Sequence, residues 1–143
     1  MRLANTGAQV MGLYSGCGGM ALGFENAGLR TELLVEIDDD CVSTLRLNRP
    51  NWEIIHGDIE GVDFSQYQGT VEIVAGGFPC QAFSYAGQGR GFTDTRGTLF
   101  FQFARCVKEV QPGLALAENV RGLIRHDGGR TLTTMLDTLD ELG

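Results

Sequence analysis

The chain has 143 residues, of which 43% are hydrophobic and 20% are charged; these proportions are typical of one ordinary globular domain and exclude a disordered segment. A formal net charge of -7 argues against a protein that holds nucleic acid through a broadly basic face. No apolar run approaches the roughly 20 residues that span a bilayer, and residues 1–7 lack a secretory leader, so we expect a cytoplasmic protein. Four cysteines without a C-x-x-C pair and only two histidines predict neither disulfides nor a metal site.

The hydrophobic pattern predicts strands that alternate with helices along the whole chain. Strands are expected at residues 10–15, 31–37, 51–55, 71–75 and 113–117, and helices at residues 20–27, 41–48, 99–110 and 130–142. Asp38, Asp39 and Asp40 suit the N-terminus of the second helix, where carboxylates cap free amides. This alternation favours right-handed crossovers and a Rossmann-like, doubly wound α/β fold with a mostly parallel sheet, strand order 3-2-1-4-5 and one domain.

Residues that could bind a ligand or take part in catalysis follow the carboxyl end of each predicted strand. They are the glycine loop of residues 16–19, Glu36, Asp58, Cys80 and Glu118. The carboxyl ends of parallel strands meet at one edge of a sheet, where this fold binds its ligands. We therefore expect these residues to share one site.

The first loop carries a pattern that is typical of nucleotide binding. It reads Gly16-x-Gly18-x-x-Ala21, and Glu36 follows twenty residues after Gly16. In this fingerprint the glycines let a ligand approach the backbone, and the acid binds ribose hydroxyls. The alternative for Glu36 is an exposed carboxylate at a strand end.

The prediction of nucleotide binding extends to a pair of residues that follow the third strand. Asp58 follows Gly57 at the rim, where we expect a contact to adenine, and Ile59 would pack on the ring. The alternative for Asp58 is an ordinary turn residue.

The loop after the fourth strand presents a cysteine on a stiff backbone. Paired glycines end the strand, and Pro79 fixes its own φ and forces Phe78 into extended geometry just before Cys80. Such a loop suits a nucleophile, although a lone cysteine is more commonly a buried structural residue.

These motifs together resemble the N-terminal part of the DNA cytosine-5 methyltransferases, which use S-adenosylmethionine. The resemblance covers about residues 10–143 and rests on five segments: Y-S-G-C-G-G at 14–19, D-I at 58–59, G-F-P-C-Q at 77–81, R-G-T-L-F at 96–100 and E-N-V at 118–120. It implies DNA methylation, restriction-modification and a prokaryotic setting. The cofactor contacts it implies are Tyr14, Ser15, Gly16, Cys17, Gly18, Gly19, Glu36, Ile37, Asp58, Ile59, Pro79 and Leu99. The DNA or base contacts it implies are Phe78, Pro79, Gln81, Ser84, Arg90 and Asn119.

The resemblance also assigns the chemistry. The Cys80 thiolate would attack carbon 6 of cytosine, so that carbon 5 accepts a methyl group from the sulfonium of the cofactor. Glu118 would stabilise the N3 and N4 edge of the ring, and it would need burial to raise its pKa. A duplex hides these atoms, so the base must be flipped out, and residues 84–91 are the expected clamp.

Several features of that family are absent from the sequence. They are the Q-x-R-x-R arginines, the target-recognition region and a C-terminal asparagine segment, so we expect one chain of a split enzyme, a fragment or the product of a truncated gene. The fifth strand would then have an unpaired edge, which predicts pairing with a C-terminal part, a second chain or another copy. The alternatives are a non-catalytic cofactor-binding or assembly subunit that needs a second chain and, less favoured, a nicotinamide-dependent oxidoreductase.

Overall fold

A computed structural model describes residues 7–79 and 99–143. The strands are β1 (Gln9–Leu13), β2 (Arg30–Glu36), β3 (Ile54–His56), β4 (Ile73–Gly76) and β5 (Leu114–Ala117). The helices are α1 (Gly19–Asn26), α2 (Asp39–Asn48), α3 (Leu99–Val110) and α4 (Arg130–Asp140). Short 3-10 segments lie at Ile59–Gly61, Ser65–Tyr67 and Arg121–Gly129.

The five strands form one parallel sheet in the order β3-β2-β1-β4-β5, which confirms the predicted order. Leu13 at the end of β1 pairs with Val35 of β2 and with Gly76 of β4, and Gly76 pairs in turn with Ala117 of β5. The carboxyl ends of these four strands are therefore level. The chain reverses its winding between β1 and β4, the position where this fold binds ligands.

The sheet is covered on both faces because successive side chains of a buried strand point to opposite sides. Leu33 and Val35 of β2 pack into a large core that includes α3 and α4, whereas Leu34 packs with Ala21 of α1 and Leu45 of α2. This arrangement confirms the doubly wound α/β class. No helix within the two described ranges is long and apolar enough to cross a membrane.

Three phenylalanines join the end of β4 to α3. The Phe78 ring lies 5.4 Å from the Phe100 ring and 5.7 Å from the Phe103 ring, measured between centroids, and all three side chains are buried. This cluster fixes the backbone that leads to residue 80.

Some observed helix and strand ends differ from the predicted ones because of a local turn or a helix cap. β1 ends at Leu13 because Tyr14 adopts a positive φ of 56°, which breaks the extended backbone. α2 begins at Asp39, two residues earlier than predicted, because Asp38 caps it by accepting a hydrogen bond from the Cys41 amide at 2.8 Å. β3 begins only at Ile54, since the residues before it form a turn.

The last strand, β5, is unusually exposed for a strand of this fold, since all four of its residues are exposed. Leu114 is 54% exposed and Leu116 is 42% exposed, and β4 is the one strand beside β5 in the described sheet. An open edge of this kind is a ready template for pairing with another strand.

Replacing Phe103 with alanine should lower the free energy of unfolding by about 3–5 kcal/mol, because its side chain projects from α3 and is fully buried against the sheet. Leu47→Ala on α2 is the matched control: Leu47 is 83% exposed, so its loss should be within about 0.5 kcal/mol. Urea-induced unfolding followed by circular dichroism measures both. A loss below about 1 kcal/mol for Phe103→Ala would contradict its place in the core.

Gly18 and Gly28 offer a matched pair, since both have a φ of 88°. A Cβ on Gly18 would lie 2.6 Å from Cδ2 of Leu45 and 3.1 Å from the Trp52 ring, whereas a Cβ on Gly28 meets no atom within 4 Å. Gly28→Ala should therefore cost only the left-handed strain of about 1–2 kcal/mol. Gly18→Ala should cost about 1–3 kcal/mol more, because buried side chains must move. Equal losses in thermal or urea unfolding would contradict the close packing beneath Gly18.

Candidate functional site

The carboxylate of Glu36 lies at the end of β2 and holds the loop that follows β1. Its Oε2 accepts a hydrogen bond from the Gly16 amide at 2.6 Å, and its Oε1 accepts from the Ile37 and Asp38 amides at 2.9 Å each. Glu36 is only 9% exposed, and these three donors compensate for the burial of its charge. Glu36 is therefore not an exposed carboxylate at a strand end, which was the alternative interpretation of the sequence.

The first half of the glycine loop turns its backbone toward open space. Gly16 has a φ of 53°, and no atom lies within 4 Å of where its Cβ would be. A ligand can therefore approach this backbone closely. The Ser15 side chain is turned away, since its Oγ donates to the Gly12 carbonyl at 3.0 Å.

The second half of the loop leads into α1. The Gly18 amide donates to the Ser15 carbonyl at 2.9 Å, and exposed Gly19 is the first residue of the helix. Cys17 is exposed, and its Sγ lies 3.7 Å from the Sγ of Cys41. The loop is thus held at both ends, with Cys17 between them.

Tyr14 and Leu99, two residues of the predicted cofactor set, are in direct contact. The Tyr14 hydroxyl donates to the Leu99 carbonyl at 2.5 Å, across 85 positions of sequence. Burial, with a smaller contribution from the Cys106 thiol, raises the pKa of Tyr14, so the hydroxyl stays protonated and can donate. This hydrogen bond fixes the beginning of α3 against the glycine loop.

Three further predicted residues occupy different environments at the same rim. Ile37 is 64% exposed directly after Glu36, and Asp58 is exposed after β3, where its Oδ1 accepts from the Glu60 amide at 2.9 Å. Ile59, by contrast, is 4% exposed and belongs to the main core. Ile37 is thus the accessible apolar side chain beside Glu36.

The segment that leads to residue 80 is fastened to the loop after β5. Asn119 donates through Nδ2 to the Phe78 carbonyl at 2.8 Å. A Cβ on Gly77 would lie 2.8 Å from Oε2 of Glu118, so the absence of a side chain there is what allows the carboxylate to approach. Phe78 is buried, and Pro79 is exposed at the end of the segment.

Glu118 itself is exposed in the described structure. The burial that an acid at this position would need is therefore not provided by the described residues. Its carboxylate nevertheless lies against the β4 loop, as the shared edge of the sheet predicts.

Four predicted residues, Cys80, Gln81, Ser84 and Arg90, lie outside the described residues. The same holds for Arg96, Gly97 and Thr98 of the fourth resembling segment. The described part of the site ends at Pro79 and resumes at Leu99.

Two concave features flank the glycine loop. A cavity of about 30 Å³ lies at the switch between β1 and β4, which is room for a solvent molecule rather than a nucleotide, so any cofactor site there is an open rim. A wider cleft of about 230 Å³ lies between α1 and α2. Its lining residues are Cys17, Gly18, Gly19, Leu22, Leu45, Asn48, Arg49 and Trp52.

The described residues fit the adenosine part of S-adenosylmethionine. A carboxylate offers about four lone-pair positions, and the three amides leave Glu36 with capacity for a ribose hydroxyl. The open backbone at Gly16 and the exposed apolar side chain of Ile37 lie next to it. Among the residues described here, no group of three or more histidine, cysteine or acidic side chains is arranged to hold a metal ion.

Sequence reasoning missed two features of this edge. The tie between Asn119 and the Phe78 carbonyl spans 41 positions, and the pair of Cys17 with Cys41 spans 24. No local pattern marks either pair, because each depends on which strand ends become neighbours in the sheet. The sequence predicts Asn119 as a base contact, and in the described structure its amide supports the backbone at Phe78.

The family model of the C-5 cytosine-specific DNA methylases matches residues 8–143. The Type II methyltransferase M.Eco47II of Escherichia coli is 56% identical over 142 residues, and M.PspPI of Psychrobacter sp. (strain TA137) is 54% identical over 131 residues. These alignments include 99% and 92% of this chain but only 34% and 32% of the two relatives. The chain thus spans about a third of the length of the curated relatives it matches.

Solved structures agree with the fold. A prophage-encoded E. coli protein assigned as a DNA modification methyltransferase superposes with a TM-score of 0.74 at 29% identity, over 94% of this chain and 38% of that one. The DNMT2 of Spodoptera frugiperda has the same fold, with a TM-score of 0.71 at 24% identity over 94% of this chain and 41% of that one. With the motifs in sequence order and the parallel sheet that aligns them, these matches show that the chain belongs to the C-5 cytosine-specific DNA methylase family.

Proposed function

We propose that this chain provides the cofactor-binding and nucleophile-bearing part of a DNA cytosine-5 methyltransferase that uses S-adenosylmethionine. The observation that carries the proposal is the junction of the β4 and β5 loops, where Glu118 and Asn119 lie against the two residues that precede Pro79 and Cys80. Target choice and closure of the site would come from a C-terminal part or a second chain.

The cofactor half of the site is built around Glu36. When bound, S-adenosylmethionine supplies an electrophilic methyl group on a sulfonium. Glu36 would accept a hydrogen bond from the ribose, and the Gly16 backbone would lie along the ligand. Ile37 and Asp58 would flank the adenine, with Ile37 shielding the ring from water.

The reacting half lies across the switch point, on the β4 and β5 loops. Cys80 would form a bond to carbon 6 of cytosine through its thiolate sulfur, which makes carbon 5 nucleophilic. Glu118 would hold the N3 and N4 edge of the base by hydrogen bonding. Asn119 would act as a positioning residue, because its bond to the Phe78 carbonyl fixes the backbone two residues before the nucleophile.

The exposure of Glu118 is consistent with this role once DNA and the rest of the enzyme are in place. A flipped base and the protein that closes over it would exclude water from the carboxyl group, which strengthens a hydrogen bond between that group and the base. The net charge of -7 likewise indicates that most phosphate contacts belong to another part of the enzyme. The exposed β5 edge supports the pairing of this part of the sheet with that remainder.

Glu36→Gln should weaken binding of S-adenosylhomocysteine about tenfold or more, because an amide NH2 cannot accept the bonds that the lost oxygen accepted. Isothermal titration calorimetry measures the affinity, with NAD as the competing candidate ligand. Glu141→Gln, an exposed carboxylate after α4, is the control and should bind like the unchanged chain. Binding of NAD but not of S-adenosylhomocysteine by the unchanged chain would overturn the proposed function.

Cys80→Ser should abolish covalent capture of duplex DNA that carries 5-fluorocytosine, because fluorine at carbon 5 blocks release of the enzyme once the sulfur–carbon bond has formed. The chain is mixed with the C-terminal two-thirds of M.Eco47II, the DNA and S-adenosylmethionine. Adducts are separated on denaturing gels. Asn119→Ala should slow adduct formation about tenfold or more, through the looser β4 loop.

Cys106→Ala is the matched cysteine control for that experiment. Cys106 is fully buried on α3 against Met11, where DNA cannot reach its thiol, so its variant should still form the adduct. An adduct with Cys80→Ser would show that another residue is the nucleophile. Binding of S-adenosylhomocysteine without any adduct from the unchanged chain would favour the non-catalytic subunit instead.

A further inference from the structure

Two cysteines that are distant in sequence meet beside the glycine loop. The Sγ atoms of Cys17 and Cys41 lie 3.7 Å apart, although 24 positions separate the residues. Cys17 is exposed and Cys41 is half-buried. Neither residue contacts the Cys106 thiol, which is buried in the main core against Met11.

Both backbones of this pair are held in place independently of the sulfur contact. Cys17 lies between Gly16, which Glu36 anchors, and Gly18, which packs beneath Leu45. Cys41 lies in the first turn of α2, where its amide donates to the capping Asp38 carboxylate at 2.8 Å. The proximity of the sulfurs is therefore a consequence of the fold and not of one mobile side chain.

A disulfide requires a sulfur–sulfur distance of about 2.05 Å, so the two sulfurs must approach by roughly 1.7 Å. An approach of this size requires rotation of the two side chains and a small shift of the glycine loop. The cleft of about 230 Å³ that Cys17 lines gives a small oxidant access to the exposed sulfur.

We propose that Cys17 and Cys41 form a reversible disulfide that fastens the glycine loop to α2 and thereby weakens cofactor binding. The oxidant is a low-molecular-weight disulfide such as oxidised glutathione. The absence of a C-x-x-C pair and the reducing cytoplasm argued against a disulfide, but the fold brings these thiols together, and a reversible bond follows the redox state of the compartment.

The reaction is balanced by two exchange steps. The Cys17 thiolate attacks one sulfur of oxidised glutathione, which forms a mixed disulfide and releases one glutathione thiolate. The Cys41 thiol loses its proton to solvent and attacks the Cys17 sulfur, which releases the second glutathione. Two protein thiols are oxidised, and one small disulfide is reduced to two thiols.

The order of these steps follows from the surroundings of each thiol. The contact with Cys17, desolvation and the nearby Asp38 carboxylate raise the pKa of Cys41, so Cys41 remains a thiol at neutral pH. Cys17 is the exposed partner and meets the oxidant first. Cys41 then acts as the resolving thiol within contact distance.

The consequence for the cofactor rests on the proposed function. Gly16 is anchored to Glu36 on one side of Cys17, so drawing the Cys17 sulfur toward α2 twists the backbone that would lie along the ligand. The affinity for S-adenosylhomocysteine should fall about fivefold or more on oxidation, and reduction should restore it.

The unchanged chain is equilibrated with oxidised and reduced glutathione at set ratios, alkylated and digested with trypsin. The tryptic peptides with residues 3–30 and 31–46 carry Cys17 and Cys41 separately, so the disulfide is read by mass spectrometry as a link between them. The link should raise the thermal midpoint by roughly 5 °C or more, because it closes a long loop in the unfolded chain. Cys41→Ser should stop at one glutathione on Cys17, and Cys17→Ser should form neither product.

Three outcomes separate the parts of this proposal. If the two peptides stay unlinked in oxidised glutathione while the folded state is confirmed by circular dichroism, the disulfide is refuted. If the link forms but the affinity for S-adenosylhomocysteine changes less than about twofold, its effect on the cofactor is refuted. If the link forms and neither state binds S-adenosylhomocysteine, the proposed function fails while the disulfide stands.

Discussion

The site depends first on one buried carboxylate. Glu36 ends the second strand and accepts hydrogen bonds from the amides of Gly16, Ile37 and Asp38. A buried charge without partners would be very costly, so these amides and the carboxylate fix one another. The same interaction joins the ends of β1 and β2 and aligns the glycine loop with the beginning of α2. The glycine loop and the residues that lead into α2 are both positioned from this contact.

The other side of the switch point is organised by backbone packing rather than by charge. Phe78 is buried against α3, and its carbonyl accepts a hydrogen bond from Asn119. Gly77 leaves the space that the Glu118 carboxylate occupies. The exposed Pro79, the last described residue before the gap, comes directly after these anchored residues. The backbone at Gly77 and Phe78 is therefore firmly held, although the neighbouring Pro79 and Glu118 are exposed.

The glycine loop connects the proposed chemistry to the proposed control by redox state. It is anchored by Glu36 before Cys17 and by tight packing of Gly18 after it, and Cys17 itself contacts Cys41. Because Gly16 and Gly18 are both held, a displacement of Cys17 must change the backbone angles of the loop. One loop would thus both bind the ligand and respond to oxidation.

The sequence by itself determined the class of fold and the strand order, because hydrophobic periodicity is local in the chain, and it placed the glycine loop, Glu36, Asp58 and Glu118 after strands that end at one edge of the sheet. The end of β1 differs from the prediction because Tyr14 turns the backbone, and the beginning of α2 differs because Asp38 caps the helix. Only the tertiary structure decided which groups touch: the burial of Ile59, the exposure of Glu118 and the meeting of Cys17 with Cys41. These depend on how parallel strands align in register, and no pattern within one segment encodes the neighbour it will meet in the sheet.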